Sequence, residues 1–299
     1  MSNDAHNRAP IDGSTPQGEL VAAHWARLSL TVDGAMQTLR SKGIGPRQVT
    51  AEDLHAMDML HMGGLAATDT LAEVARIRPG QRVLDVGAGV GGPARRIAHK
   101  YGAKVWGVEL GESMYETAVA LTALVGLQDH VKFKLASALA LPFPNETFDV
   151  VVMQHVAMQI AEKAQLFGEC VRVLNGEGAL ALHEIFAGEG GAPLFPLAWA
   201  SDPTMSSLET FDDCRKRLSG LGLSASEFLD RSAEGQQYHL TNMKAMQKAL
   251  ADEEGTQGRS VEATKIRLET ATSMERNLRE GRLKVGIVVY RKTHAVNAA

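Results

Sequence analysis

Apolar positions along the chain fall into two regimes. Up to about residue 75 they recur at helical spacing, and from residue 82 short apolar runs alternate with amphipathic stretches. In the first regime Val21, Trp25, Leu28, Val32, Met36 and Leu39 predict one helix over 20–41, which Gly43-Ile-Gly-Pro46 interrupts. Thr50 followed by Asp53 supplies an N-cap and the acid of a capping box, so a second helix is predicted from Ala51, stopping near Gly63-Gly64. A third covers 68–75, ahead of Pro79-Gly80. Residues 1–18 carry no period and scattered Gly and Pro, which predicts a disordered tail; 19–70 then forms a helical cap.

In the second regime, strands are predicted at 82–86, 104–108, 131–135, 148–153 and 179–183, with helices at 93–99, 112–125 and 161–173 between them. This alternation predicts an α/β fold, a doubly wound and mostly parallel sheet covered on both faces. Val150–Met153 is apolar throughout, as a strand buried on both sides requires. After His183 the rhythm fails. Residues 188–203 are rich in Gly and Pro yet carry Phe195 and Trp199, and an insertion over about 186–240 is expected to act as a lid. Helices over 208–218, 241–251 and 261–278, a strand over 226–231 and a closing strand over 284–290 complete the domain at 71–299.

The 299 residues are enough for one large domain and a sizeable core. Thirty-one basic against thirty-five acidic side chains give a net charge of −4, which argues against a general nucleic-acid partner. No apolar run approaches the roughly 20 residues of a membrane span, and the polar start lacks a signal-peptide pattern, so a cytoplasmic protein without a membrane partner is expected. Cys170 and Cys214 are far from any paired Cys/His spacing; they read as reduced, packed thiols, and no metal site is expected.

The chemistry concentrates in Val83-Leu-Asp85-Val-Gly87-Ala-Gly89-Val-Gly91-Gly92. A strand must turn sharply into a helix here, and glycines permit positive φ and close approach of a ligand to the backbone. Glu109 stands seventeen positions past Gly92, at the end of the next predicted strand, where a carboxylate accepts hydrogen bonds from both ribose hydroxyls. The letters Gly87-x-Gly89-x-x-Gly92 also satisfy the dinucleotide fingerprint, which leaves a nicotinamide oxidoreductase open. Asp85 argues against it, because a negative charge beside the turn opposes a pyrophosphate and suits a cationic ligand.

From about Leu71 to Arg291 the chain resembles the class I S-adenosylmethionine-dependent methyltransferases, in particular the small-molecule branch with the sarcosine/dimethylglycine, coclaurine-type and ubiquinone/menaquinone enzymes. The resemblance rests on Leu84-Asp-Val-Gly-Ala-Gly-Val-Gly-Gly-Pro93, Gly107-Val-Glu-Leu110, Leu141-Pro-Phe-Pro144 with Phe148-Asp149, Gln154-His-Val-Ala-Met158 and Arg172-Val-Leu-Asn-Gly-Glu-Gly178. It implies a Rossmann-like seven-stranded sheet with an antiparallel C-terminal strand, and S-adenosylmethionine as cofactor. Asp85, Gly87, Gly89 and Gly91 would line its methionine portion, Glu109 would hold the ribose and Leu110 would pack on the adenine. Ser137-Ala138 replaces the Asp-Ala pair that commonly meets the adenine amino group, and Gln154 would border the methionine backbone. The helical N-terminal segment would fold over the pocket.

Methyl transfer needs alignment and dryness more than a catalytic constellation, and a base only when the acceptor holds its proton tightly. His155, His61 and Glu184 are the catalytic candidates, Glu184 sharing the fifth strand's end with His183; Phe195 and Trp199 are candidate walls for the acceptor. Trp25 and Trp106 read as core, and Met57, Met59 and Met62 as packing. Likeness to the glycine-derivative enzymes favours nitrogen or sulfur in a small-molecule acceptor. An O- or C-methyltransferase of a phenolic or quinone-like metabolite, a non-catalytic binding module and a homodimer all stay open.

Overall fold

Four helices precede the first strand in the computed structural model, which describes residues 14–28, 30–251 and 261–292. The helix read over 20–41 is two: α1 (Pro16–Leu28) and α2 (Val32–Ser41). Thr31 causes the break, because its side chain accepts from the Gly34 N–H and caps α2. α1 begins at Pro16, inside the expected tail, of which 1–13 lie outside the described residues. In α3 (Ala51–Asp58) the capping box is formed: Asp53 N donates to Thr50 Oγ1 and Thr50 N to Asp53 Oδ2. α4 (Gly64–Ala75) starts directly at the glycine pair expected to end α3.

Strands and helices then alternate: β1 (Arg82–Val86), α5 (Gly92–Tyr101), β2 (Lys104–Glu109), α6 (Glu112–Leu124), β3 (Val131–Leu135), β4 (Phe148–Gln154), α7 (Lys163–Val173) and β5 (Leu174–Ala187). α8 (Phe211–Gly220), β6 (Leu223–Ala225), β7 (Leu229–Asp230), α9 (Ser232–Ala251), α10 (Val261–Arg279) and β8 (Leu283–Lys292) follow. The sheet runs β3-β2-β1-β4-β5-β8-β6, with β7 also on β8. β1 to β5 are parallel and β8 is antiparallel to β5, as expected. Among the described residues there are eight strands rather than seven: β7 falls within the strand read at 226–231, and β6, just before it, is additional, each set by pairing with β8.

Alternate residues of each central strand feed opposite faces. Leu84, Val86, Val151, Met153, Leu180 and Leu182 pack on one side. Val83, Val105, Val150, Val152, Ala179 and Ala181 pack on the other. Both faces are therefore dry, the condition for near-continuous apolar strands. Cys170 and Cys214 are free and buried in the first cluster, and burial pushes the Cys170 thiol up to about 12. Chain order reverses between β1 and β4, so the crevice where such sheets take ligands lies at their carboxyl ends. Of the insertion expected at 186–240, residues 198–199 reach that crevice, whereas β6 and β7 extend the sheet. No helix among the described residues is long and apolar enough to cross a membrane.

Candidate functional site

The turn after β1 is built around three left-handed glycines, Gly87, Gly89 and Gly91 (φ 71°, 57° and 82°). A Cβ on Gly87 would lie 2.5 Å from Val156 Cγ2, so no larger residue fits between the turn and the segment after β4. Gly87 N and Ala88 N both donate to Val108 O at 2.9 Å, tying the turn to β2. Gly87 and Gly89 line the crevice. Gly91, expected there too, is not among its lining residues; it starts α5, and a Cβ on it would strike Phe133 and Arg95.

Two carboxylates stand over this turn. Glu109, 8% exposed at the end of β2, accepts from Gly89 N (2.9 Å) through one oxygen and from Gly111 N (2.8 Å) through the other. Burial raises its pKa, and those amides oppose the rise. Asp85, 2% exposed, has a buried Oδ2 without a hydrogen-bond partner, and burial together with Glu109 pushes its pKa up to about 7. No Lys or Arg is found among the described residues lining the crevice. The nearby Arg95 is spent on Asp58. The site thus offers acidic side chains and no Lys or Arg, among the described lining residues, to whatever enters it.

At the end of β3, Ser137 and Ala138 line the crevice as expected, and Leu110 does so after β2. The Ser137 hydroxyl already accepts from Leu139 N at 3.1 Å, a turn-forming bond. At the end of β4, Gln154 joins a network with Thr68 and His61. Thr68 Oγ1 lies 3.0 Å from His61 Nε2 and 3.2 Å from Oε1 of Gln154. His61 Nδ1 lies 3.1 Å from Met62 O, which only accepts, so Nδ1 carries the ring proton and Nε2 takes that of Thr68. One hydroxyl proton cannot serve two acceptors. Turning the amide over lets Thr68 donate to His61 and accept from the Gln154 N–H, and puts the carbonyl oxygen, beside the crevice, at the buried position where Nε2 has no partner.

His155 follows Gln154 with φ 57°, its N–H held by His183 O at 2.9 Å. Its Nε2 is buried without a partner. Burial, with His183 and His61 nearby, holds the ring well below the usual histidine value, so it is neutral. The rings of His61, His155 and His183 lie 4.6–5.9 Å apart. His61 and His155 line the crevice; His183 does not.

Glu184, a catalytic candidate by sequence, points elsewhere. It accepts from Val156 N (2.9 Å) and Ala157 N (3.1 Å), and it is absent from the crevice lining. Adjacent strand residues face opposite sides of a sheet, and here the carboxylate side clamps the segment after His155. Burial pushes this carboxyl up to about 7. Phe195, expected as a wall, packs instead against the cluster around Met205 and Met274. Trp199 does wall the crevice, fully buried, with Nε1 donating to Ser206 Oγ.

Several lining residues escaped the sequence reading. Trp25, expected in the core, lies over the crevice and donates to Gln159 Oε1 at 2.7 Å, while Gln159 donates back to His155 O at 3.2 Å. Asp58 at the end of α3 and Leu60 just past it also line it. A tryptophan on an amphipathic stripe gives no local sign of whether it meets a core or a cavity.

Residues 84–182 match the methyltransferase domain family. Methyltransferase GfsG of Streptomyces halstedii is 31% identical over 185 residues, covering 61% of this chain and 66% of that one. The chain spans less than two thirds of the length of the curated relatives it matches, 66% of the first and 30% and 33% of the next. Phosphoethanolamine N-methyltransferase 2 of Haemonchus contortus, solved with phosphomonomethylethanolamine and S-adenosylhomocysteine, superposes with TM-score 0.73 at 17% identity, over 92% of this chain and 61% of that one. Geranyl diphosphate C-methyltransferase of Streptomyces coelicolor superposes with TM-score 0.70 at 16% identity, over 96% and 100%. Residues 84–182 thus match the methyltransferase domain family model, and the sheet has the fold of methyltransferases solved with S-adenosylhomocysteine.

Proposed function

We propose that the protein transfers a methyl group from S-adenosylmethionine to a small-molecule acceptor held beyond the end of β4. The observation that carries this reading is the pair Asp85 and Glu109: two buried carboxylates over a glycine turn, with no cation among the described lining residues. A ligand bearing an ammonium and a sulfonium supplies the missing charge. The residues present fit it. Asp85 Oδ2 and the Gln154 carbonyl are free to accept from the ammonium, and each Glu109 oxygen keeps a lone pair for a ribose hydroxyl.

When bound, S-adenosylmethionine supplies an already activated methyl. The chain's part is to hold the acceptor in line and exclude water, which α1 and residues 198–199 do by walling the crevice. An acceptor that must lose a proton would find the neutral imidazole of His155, whose Nε2 has no partner, whereas both ring nitrogens of His61 are engaged by Met62 O and Thr68. The solved relatives' names include an N- and a C-methyltransferase. Our reading favours nitrogen or sulfur only by likeness to the glycine-derivative enzymes.

A dinucleotide reading finds less support. The mouth of α5 is already filled, since Asp58 O stands where a Cβ on Gly92 would be, and Pro93 removes an N–H from its first turn. Calorimetric titration tests the proposal. S-Adenosylhomocysteine should bind with one site per chain and NADH should not; absence of S-adenosylhomocysteine binding rejects the reading. Release of S-adenosylhomocysteine with a panel of amines, thiols and phenols separates an enzyme from a silent binding module.

A further inference from the structure

The sheet order divides the crevice. The ends of β1, β2 and β3 contribute Asp85 to Gly89, Glu109, Leu110 and residues 136–139, the share proposed for the adenosyl ligand. What remains is formed by lining residues of the segment between His155 and Glu162 and by Asp58, Leu60 and His61, closed by Trp25 from α1 and by Ala198 and Trp199 from the long loop. This part is apolar, with Trp25, Trp199, Met158, Ile160 and Leu60 as its large side chains. Its ionisable members are two neutral histidines, His61 and His155, together with Glu162 and Asp58, the last already paired with Arg95. The nearest lysine, Lys163, is turned away, with Nζ on the carbonyls of Ala157, Ile160 and Ser207.

We infer that the acceptor is an uncharged, largely apolar molecule, and that phosphorylated or carboxylated acceptors are excluded. The inference rests on the methyltransferase reading and narrows it. A phosphate or carboxylate buried here would lose its hydration with no Arg fork or ammonium to replace it, and would face Glu162, Asp85 and Glu109 besides. A permanently cationic acceptor fares little better, because Asp85 and Glu109 serve the adenosyl ligand and Asp58 is paired with Arg95, which leaves Glu162 among the described lining residues of the acceptor end. A neutral apolar body meets two indole faces and a thioether, surfaces whose burial is favourable without any charge partner. The preference drawn from the glycine-derivative enzymes, whose acceptors carry a carboxylate, is thereby set against the charge of the site itself.

Matched naphthalene probes test this on the full chain saturated with S-adenosylhomocysteine. Affinities of 2-naphthol, 2-naphthyl phosphate, 2-naphthoate and 2-naphthylmethylammonium are measured by calorimetry. 2-Naphthol should bind at least about tenfold tighter than each charged analogue, the margin that one imperfectly compensated charge produces. A charged analogue binding as tightly, or no binding of 2-naphthol up to its solubility limit, overturns the inference. Ala198→Trp fills the acceptor end and should weaken 2-naphthol by a similar factor; unchanged affinity places the probe elsewhere and also overturns it. Retained S-adenosylhomocysteine binding certifies that the variant is folded, and Ile160→Trp replaces it if it is not. Failure of the unmodified protein to bind S-adenosylhomocysteine strikes the methyltransferase reading instead, so the two failures are distinguishable.

Discussion

Arg95 and Asp58 form an ion pair sealed from water, Nη2 to Oδ2 at 2.9 Å with side-chain exposures of 1% and 0%. The same guanidinium donates to Val90 O in the glycine turn and to Thr122 Oγ1 on α6. It therefore fastens the end of α3 and the start of α5 to the second helix of the sheet, under the crevice. Breaking such a pair strands a buried charge at a cost of about 3–5 kcal/mol. Asp58→Ala is expected to lose stability of that order in urea unfolding, and Asp58→Ala combined with Arg95→Met to recover part of it.

Glu109→Gln keeps the volume but turns an N–H₂ toward one of the two amides that Glu109 now accepts from, Gly89 N or Gly111 N. It also removes a charged acceptor for the ribose. Hydrogen bonds to charged groups contribute about 1.5–3 kcal/mol, so S-adenosylhomocysteine affinity should fall roughly ten- to hundredfold by calorimetry. Unchanged affinity would remove the ribose role.

The raised carboxyls make both stability and binding depend on pH. Burial, with Glu109 beside it, pushes the Asp85 carboxyl up to about 7 in the folded chain, well above the usual aspartate value. The folded state therefore keeps a proton that the unfolded chain gives up. Stability without ligand should fall as pH rises from about 4 to about 7 and level off above, and Asp85→Asn should flatten that slope. Glu184, also near 7, contributes in the same direction and should survive the Asp85 substitution as a residual slope. A cationic ligand favours ionised Asp85, so S-adenosylmethionine binding should release protons near pH 6 and cease to do so by about pH 8. Titrations in buffers of different ionisation enthalpy measure this.

Glu184 acts through the backbone it holds. Glu184→Ala leaves the amides of Val156 and Ala157 without an acceptor, at about 1–3 kcal/mol per buried group, and Glu184→Gln, retaining one oxygen, should cost less. Because the side chain does not line the crevice, S-adenosylhomocysteine affinity should change by less than about threefold in Glu184→Gln, a small part of one charged hydrogen bond. Turnover should fall instead, since His155 sits next to the loosened segment. A loss of affinity as large as that of Glu109→Gln would contradict this division.

Local chemistry made much of the molecule readable. The Thr50–Asp53 box, the glycine turn with Glu109 beyond it and the doubly buried runs of β1, β2 and β4 are each decided within a few residues of chain. The split between α1 and α2 was missed because the apolar stripe continues through Thr31, where a cap outweighs the pattern. β6 lies outside the strand read at 226–231 and β7 fills only part of it, because strands of three and two residues are defined by β8 rather than by their own sequence. Within the site, the direction of a side chain at a strand end decided the outcome. His183 and Glu184 are neighbours, yet Glu184 holds backbone while its fellow joins a histidine cluster. The contact of Trp25 with Gln159 spans 134 positions and leaves no mark in either segment.

β8 lies between β5 and β6, with nine partner pairs along β5 alone. During synthesis every other strand leaves the ribosome before this one, so β5 waits with one edge bare while about a hundred further residues are made. An exposed apolar edge of that kind invites pairing with other chains. Nascent forms stopped before residue 283 should accordingly depend on chaperones for solubility.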